Sequence, residues 1–289
     1  MHIRNPVEWV LGQFHSTEML GSAAPEAYFS TTESGPPIVR RIGFADVFLA
    51  LSQGWEDFTA ARTDLIMLWL IYPVMAAYLV AADFYGQLIP LLFPVASGFA
   101  LVGPLFAIGF YEMSRQKELT GQMHWRDGFN VLRSPAIGAI TGMGLTLVAL
   151  FLAWLAVAEL IYDATLGPVQ PTGWLPFLNA VLTTPRGWEM IVLGVGIGAV
   201  FAVLVLVIAS ISFPLLLDRP ATLGTAIRTS VAAVARNPAP LALWGAIVAG
   251  GLVLGTIPAF AGLIVVLPVL GHGTWHLYRT MVPRPGMAA

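Results

Sequence analysis

Long apolar stretches without charge alternate along this chain with shorter segments that contain the charged residues. A helix that crosses a bilayer needs about 20 mostly apolar residues. Charge-free runs of about this length or more occupy residues 65–82, 84–111, 134–158, 190–217 and 237–278. The last run is too long for one crossing and fits two, with a turn near 255–258. The pattern therefore predicts an all-α integral membrane protein with six transmembrane helices.

A shorter amphipathic segment precedes each pair of predicted spans, at 44–58, 125–132 and 223–234. The apolar stripe of the first segment consists of Phe44, Val47, Phe48, Leu51, Trp55 and Phe58. Its acidic residues Asp46, Glu56 and Asp57, with Asp64 beyond it, are predicted to form a solvated face. Such one-sided stripes are typical of helices that lie in the headgroup layer of a membrane.

The three hairpins resemble one another, which predicts an internal repeat. The stretch 131–136 (VLRSPA) parallels 234–239 (VARNPA), and in each a basic residue and a proline separate the amphipathic segment from the next span. Pro104, Tyr111 and Arg115 match Pro268, Trp275 and Arg279 at a constant offset of 164. We interpret residues 44–115, 125–217 and 222–280 as three parallel repeats, each an interfacial helix followed by a transmembrane hairpin.

The basic residues predict the orientation. With the N-terminus inside, thirteen of the fourteen Lys and Arg residues fall on the cytoplasmic side, and only Arg186 falls outside. This bias predicts a multi-pass membrane protein with both termini in the cytoplasm. The predicted organisation is a partly disordered cytoplasmic tail at 1–40, a six-span membrane domain at 41–282 and a cytoplasmic tail at 283–289.

Composition supports a membrane protein and excludes several other classes. Hydrophobic residues make up 57% of the chain and charged residues 10%, against roughly 25% charged in a soluble domain. The net charge of −2 gives no indication of a nucleic-acid partner. The absence of cysteine excludes disulfides, thiolate metal sites and cysteine nucleophiles.

Several stretches resemble one family of integral membrane proteins. They are 90–101 (PLLFPVASGFAL), 111–115 (YEMSR), 212–219 (SFPLLLDR) and 270–279 (LGHGTWHLYR). These motifs are similar to a bacterial, mainly proteobacterial, family catalogued as a domain of unknown function (two-one-eight-nine). The resemblance covers about residues 40–282. It implies a location in the cytoplasmic membrane and implies no particular activity.

Polar residues concentrate at the predicted cytoplasmic ends of the spans. His272 and His276 share one face of the last span, but no third ligand accompanies them, so no metal or cofactor is predicted. Glu112 precedes Arg115 by one helical turn, which favours a local ion pair over a proton relay. The 164-residue offset matches Glu112 to His276, so pairing between these two is a further hypothesis. The candidate polar cluster consists of Glu112, Arg115, Asp218, Arg219, His272, His276 and Arg279.

Two classes of function fit the sequence, and no catalytic residue is identified. A non-enzymatic accessory, assembly or organising protein is favoured by the apolar middle of the spans and by glycine pairs suited to helix packing. Its partners would be the lipid bilayer and other membrane protein subunits. The alternative is a transporter or channel for a small or lipid-like substrate, favoured by the repeats and by proline-interrupted spans.

Overall fold

The computed structural model describes residues 37–61, 90–167, 173–258 and 260–284, and within these ranges the chain forms helices and no strand. The predicted first span (65–82) and most of both predicted tails lie outside the described residues. The α-helices are α1 (Phe44–Ala61), α2 (Leu92–Phe106), α3 (Ile108–Thr120), α4 (Ile137–Thr165), α5 (Trp174–Thr183), α6 (Pro185–Ala209), α7 (Ser212–Asp218), α8 (Leu223–Arg236), α9 (Pro238–Thr256) and α10 (Leu263–Met281). A 3₁₀ helix, Trp125–Arg133, lies between α3 and α4.

Four stretches of the described chain are long and apolar enough to cross a membrane. They are Phe93–Thr120, Ile137–Thr165, Pro185–Asp218 and Pro238–Thr256. They correspond to the predicted second to fifth spans. Capping residues mark the ends of two of their helices. Thr184 caps the start of α6 by accepting a hydrogen bond from the Gly187 N–H at 3.0 Å. Gly121, in the left-handed conformation, ends α3.

The predicted turn in the longest apolar run is found between α9 and α10, at residues 257–262. Close backbone approach tightens it, because a Cβ atom on Gly255 would lie 3.1 Å from the Leu263 nitrogen. Helix α10 has the same length as α9, 19 residues, but its second half carries His272, His276 and Arg279. These polar residues explain why α10 falls short of the apolarity that marks the other four stretches.

Two of the four stretches are interrupted. Helix α2 ends at Phe106 and α3 begins at Ile108, shortly after Pro104. Helices α6 and α7 are separated at Ser210–Ile211, just before Pro214. Proline lacks a backbone N–H and clashes with the preceding turn, which accounts for both positions. Pro268, the offset match of Pro104, lies inside the continuous helix α10, so the two matched prolines have different local effects.

The connection between α4 and α6 contains a short helix. Helix α4 continues to Thr165, and α5 occupies Trp174–Thr183. The Arg186 guanidinium donates to the Thr165 carbonyl oxygen at 3.2 Å, joining the end of α4 to the start of α6.

Trp154 packs at the centre of the bundle formed by α2, α4 and α6. Its side chain is buried and its indole N–H donates to the Pro94 carbonyl at 2.9 Å. Glycines on both neighbouring helices make room for it. A Cβ atom on Gly98 would lie 3.3 Å from the indole, and one on Gly198 would lie 3.1 Å from it. Small residues thus allow close helix packing around one large side chain.

Helix α1 crosses α10 in direct backbone contact. A Cβ atom on Gly54 would lie 2.5 Å from the Val269 carbonyl oxygen and 2.6 Å from the Gly273 nitrogen. The segment before α1 is held at the same end of the molecule, because the Arg40 N–H donates to the Met281 carbonyl at 2.8 Å. The Ile42 N–H donates to the Asn237 side-chain oxygen, also at 2.8 Å.

The face of α1 that packs against other helices is largely distinct from the apolar stripe, which was predicted to face the headgroup layer. Its buried residues are Val47, Ala50, Gly54 and Asp57. The large apolar residues Phe44, Phe48 and Trp55 are each more than half exposed, on a neighbouring face. Helix α8 behaves alike, burying Ala226, Thr229, Ser230 and Ala233 while Val231 is exposed. Small residues therefore form the contact faces, and the large apolar side chains remain on the surface.

The crossing of α1 and α10 predicts the effect of a single methyl group. Gly54→Ala should lower the free energy of unfolding by about 1–3 kcal/mol, because backbone on both sides would have to move. Thermal unfolding in detergent would measure this. Gly196→Ala is the matched control, since nothing lies within 4 Å of its Cβ position. Equal behaviour of the two variants would contradict the crossing.

Candidate functional site

Polar side chains from five helices meet at one end of the bundle. They come from α1, from the C-terminal ends of α3 and α7, from the 3₁₀ helix that precedes α4 and from the second half of α10. All of these chain segments are on the predicted cytoplasmic side. Two connected groups result, which we name the Asp57 network (Asp57, Ser114, Lys117, His272 and His276) and the Asp218 network (Asp218, Arg219, Tyr278, Arg279 and Glu118).

Asp57 is the centre of the first network. Its carboxylate is 1% exposed, so it needs partners to remain ionised. The Ser114 hydroxyl donates to Oδ2 at 2.6 Å, and His276 Nε2 lies 2.8 Å from the same oxygen. The Lys117 ammonium donates to Oδ1 at 2.5 Å. Side chains of α3 and α10 thus satisfy a carboxylate that α1 supplies.

The hydrogen bonds around Asp57 determine how His272 is protonated. Ser114 has one hydroxyl hydrogen and directs it to the carboxylate. His272 Nδ1, 2.8 Å from the same hydroxyl oxygen, must then be the donor of that second bond. His272 is fully buried, and its Nε2 has no hydrogen-bond partner among the described residues. His272, a member of the predicted polar cluster, is therefore enclosed by the protein.

The partners of Asp57 outweigh the cost of its burial. Burial by itself raises the pKa of a carboxyl group, whereas hydrogen bonds from His276, Lys117 and Ser114 favour the ionised form. The net effect holds the pKa of Asp57 below its ordinary value. Asp57 was predicted to lie on a solvated face. The structure shows the opposite, because it lies on the small-residue face of α1.

The Asp218 network joins the ends of α3, α7 and α10. Arg279 donates to both oxygens of Asp218, with Nη1 at 2.9 Å from Oδ2, and the Tyr278 hydroxyl donates at 2.6 Å. Arg219 contacts the same carboxylate at 3.2 Å. Arg279 also reaches Glu118 at 3.0 Å and stacks over the Trp275 ring at 4.9 Å.

Glu112 has partners on its own helix. Its carboxylate is buried, accepts from Arg115 at 3.1 Å and from Gln116 at 2.6 Å, and makes the local ion pair that the sequence favoured. The structure gives no contact to His276, which bonds Asp57 instead. The hypothesis that these two residues pair is therefore wrong.

Glu112 faces a pocket of about 370 Å³. Its polar lining consists of Glu112, Arg115, Gln116, Asn130, Arg133, Ser134, Asp218 and Arg219. Of the seven residues in the predicted polar cluster, the pocket brings together Glu112, Arg115, Asp218 and Arg219. The other three (His272, His276 and Arg279) lie outside its lining, and Arg279 connects to it through Asp218.

Comparison with known proteins bears on the same region. Residues 92–218 match a family model described as a predicted integral membrane protein (DUF2189). We call this matched stretch the DUF2189 segment. No curated protein and no solved structure matches the chain. The family expected from the sequence is thus confirmed over a narrower range than the predicted 40–282.

The DUF2189 segment contains most of the pocket and part of the Asp57 network. Ten of the thirteen residues that line the pocket fall between Glu112 and Leu217, and Asp218 is the last residue of the segment. Ser114 and Lys117 of the Asp57 network also lie inside it, whereas Asp57, His272 and His276 lie outside. Flanking helices therefore complete a site that begins within the segment.

The Asp57 network has the residue types of a hydrolase site but a different direction of hydrogen bonding. In a serine nucleophile site the histidine accepts the hydroxyl proton. Here Ser114 donates to Asp57, and His272 donates to Ser114. Among the described residues, no group of three or more His, Cys, Asp or Glu side chains could hold a metal ion. The geometry best fits a structural tie between three helices.

Sequence reasoning missed Asp57, Ser114, Lys117 and Glu118. A signal for Asp57 was present, because it follows Val47, Ala50 and Gly54 at helical spacing on one face. Ser114 and Lys117 likewise lie three apart on α3. Glu118 gave no such signal, since its partners Trp275, Arg279 and Arg284 come from a distant part of the chain.

Removing the charge of Asp57 should destabilise the protein strongly. We expect Asp57→Asn to lower the free energy of unfolding by about 3 kcal/mol, since Lys117 and His276 would face a neutral amide. Glu56→Gln is the matched control, because Glu56 is the exposed neighbour and its change should cost less than about 0.5 kcal/mol. Thermal unfolding in detergent compares them. Similar losses would show that Asp57 is not the central residue.

Two double-mutant cycles should separate direct contacts from the rejected pairing. Asp57→Asn and His276→Gln should couple by about 0.5 kcal/mol or more, because these side chains share a hydrogen bond. Glu112→Gln and His276→Gln should be additive, since each has its own partners. Thermal stability in detergent is the measurement. Coupling in the second cycle and additivity in the first would contradict the two-network arrangement.

Proposed function

We propose that the protein is a non-enzymatic organising component of the bacterial inner membrane, with six transmembrane helices and both termini in the cytoplasm. The family resemblance supports the location in the bacterial inner membrane. The distribution of basic residues supports the cytoplasmic position of both termini. Helix α10 and the charge-free run 65–82 would supply the two spans beyond the four that the described chain contains. The contacts among the ends of α3, α7 and α10 support the prediction that these ends face one compartment.

The observation that carries the proposal is the apolar interior of the four membrane-crossing stretches. Their buried polar side chains are Glu112, Ser114, Thr165 and Ser212, and each lies within the last nine residues of its stretch. Between the ends, the buried residues are apolar, as at Leu101, Met143, Leu147 and Val205. A polar solute would have to cross this region without hydrogen-bond partners, at a cost of several kcal/mol.

The interrupted helix α6–α7 also favours an organising role over transport. Broken helices in transporters present backbone carbonyls to their substrates. Here two of the carbonyls beside the interruption accept hydrogen bonds from nearby hydroxyl groups. Ser230 donates to the Val207 carbonyl at 2.8 Å, and Ser212 donates to the Ile208 carbonyl at 2.5 Å. These two carbonyls are thus satisfied from within the bundle.

Single cysteines test the topology on a cysteine-free background. Gly173→Cys should react with an impermeant thiol reagent applied to the periplasmic side, and Gln122→Cys should not. Gln122 is exposed and Gly173 is half-buried, so sequestration in the protein would not explain the difference. Labelling of Gln122→Cys alone would reverse the topology, and equal labelling of both would contradict six spans with cytoplasmic termini.

Reconstitution tests the organising role against transport. Purified protein in liposomes should leave proton and potassium permeability at the level of protein-free vesicles. Protein taken from native membranes in mild detergent should be recovered in fixed proportion with other membrane proteins. Gly54→Ala, which is expected to destabilise the crossing of α1 and α10, and Gly196→Ala, which is expected to leave the protein unchanged, serve as paired controls for that recovery. Ion flux through the reconstituted protein would contradict the proposal.

A further inference from the structure

The pocket beside Glu112 has an excess of positive charge. Three guanidinium groups line it, from Arg115, Arg133 and Arg219, against the two carboxylates of Glu112 and Asp218. Both carboxylates are already paired. Arg115 binds Glu112, and Arg279 binds Asp218 from outside the pocket lining. The lining therefore has more cationic groups than its own acids neutralise.

Arg133 is the group that this excess leaves available. It is exposed, and it forms no hydrogen bond or ion pair within the part of the chain that the structure describes. It ends the 3₁₀ helix, in which residues three apart share a face. Asn130 therefore shares its face, and both residues line the pocket. An amide and a free guanidinium stand side by side there.

The start of α4 adds hydrogen-bond donors to the same wall. Ser134, Pro135 and Ala136 line the pocket immediately before α4, a helix of 29 residues. No side chain caps the N-terminus of α4, and the N-terminal end of a long helix attracts anions. The Ser134 Oγ accepts from the Ala136 N–H at 3.2 Å, which leaves the hydroxyl hydrogen to be donated.

Apolar side chains lie directly beside this polar pocket. Phe129 and Leu132 share the adjacent face of the 3₁₀ helix and are 59% and 70% exposed. Residues 129–133 therefore present an apolar face and a cationic face next to each other, at the point where α4 enters the predicted membrane. A phosphate group attached to acyl chains has the same two parts, and the cytoplasmic leaflet of membranes is rich in such anionic lipids.

We propose that this pocket binds the phosphate group of an anionic phospholipid from the inner leaflet. Arg133, Asn130 and Ser134 bind the phosphate oxygens, and the acyl chains leave along Phe129 and Leu132. A volume of about 370 Å³ accommodates a phosphodiester with its glycerol. The inference deepens the proposed function, on which it rests for the cytoplasmic position of the pocket.

The test uses the full chain in neutral detergent, with phosphatidylglycerol and phosphatidylcholine added in separate titrations. Native mass spectrometry and the thermal unfolding midpoint report binding. The wild type should bind phosphatidylglycerol in preference to phosphatidylcholine. Arg133→Gln should weaken that binding about tenfold, the effect of losing one charge-assisted hydrogen bond. Arg126→Gln is the matched control, because Arg126 lies on the same 3₁₀ helix, over the Trp125 ring and outside the pocket.

Several results would overturn the inference. Equal weakening by the two arginine variants would indicate general attraction to a basic surface. Displacement of phosphatidylglycerol by millimolar inorganic phosphate, without preference between the lipids, would assign the pocket to a soluble phosphate. If Arg133→Gln lowers the unfolding midpoint without lipid, Ser134→Ala replaces it. Binding in detergent does not depend on topology, so this test can fail while the cysteine labelling succeeds, and the reverse.

Discussion

A buried carboxylate determines how this end of the molecule is assembled. Asp57 is placed by α1 where water does not reach it, so its charge must be balanced by side chains from other helices. Ser114 and Lys117 come from α3, and His276 comes from α10. Each of these bonds constrains the relative position of two helices. The backbone crossing at Gly54 and the fixed tautomer of His272 follow from the same constraint.

The pocket depends on this arrangement indirectly. Lys117 and Ser114 fix the last turns of α3, and the neighbouring Glu112 and Arg115 point to the pocket from that same helix. Arg279 extends from α10, which Asp57 also binds, to Asp218 at the pocket wall. The pocket and the Asp57 network therefore both depend on helices α3 and α10. Arg115 and Arg279 neutralise the two carboxylates of the pocket, Glu112 and Asp218, so Arg133 has no acidic partner among them.

Much of the helical architecture follows from the sequence, because a bilayer imposes a simple rule on charge-free length. The four membrane-crossing stretches and the turn between α9 and α10 were predicted in this way. The role of Asp57 was not. A hydrophobic stripe identifies the buried face in a soluble helix, but in lipid the large apolar residues face outward and small residues make the contacts. Phe48 and Trp55 are exposed at the surface, whereas Asp57, which was predicted to lie on a solvated face, is buried.

The polar contacts that could be predicted join residues close in sequence, and those that could not be predicted join residues far apart in sequence. Glu112 and Arg115 are one helical turn apart, so their pairing follows from helix geometry alone. Arg279, which binds both Asp218 and Glu118, lies 61 and 161 residues from them, and only the packing of helices brings these residues together. The 164-residue offset suggested that Glu112 and His276 are equivalent in sequence. The partners of these residues, however, depend on which helices pack beside them.

The distance between Asp57 and His276 has a consequence for biogenesis. These residues are 219 positions apart, and they form one hydrogen bond. At a synthesis rate of about 5–20 residues per second, roughly 10–45 s pass between their emergence from the ribosome. During that interval α1 carries an ionised carboxylate without its final partner, so it must remain at the aqueous surface while later spans insert. Docking of α1 onto α10 can therefore be completed only after α10 has been synthesised.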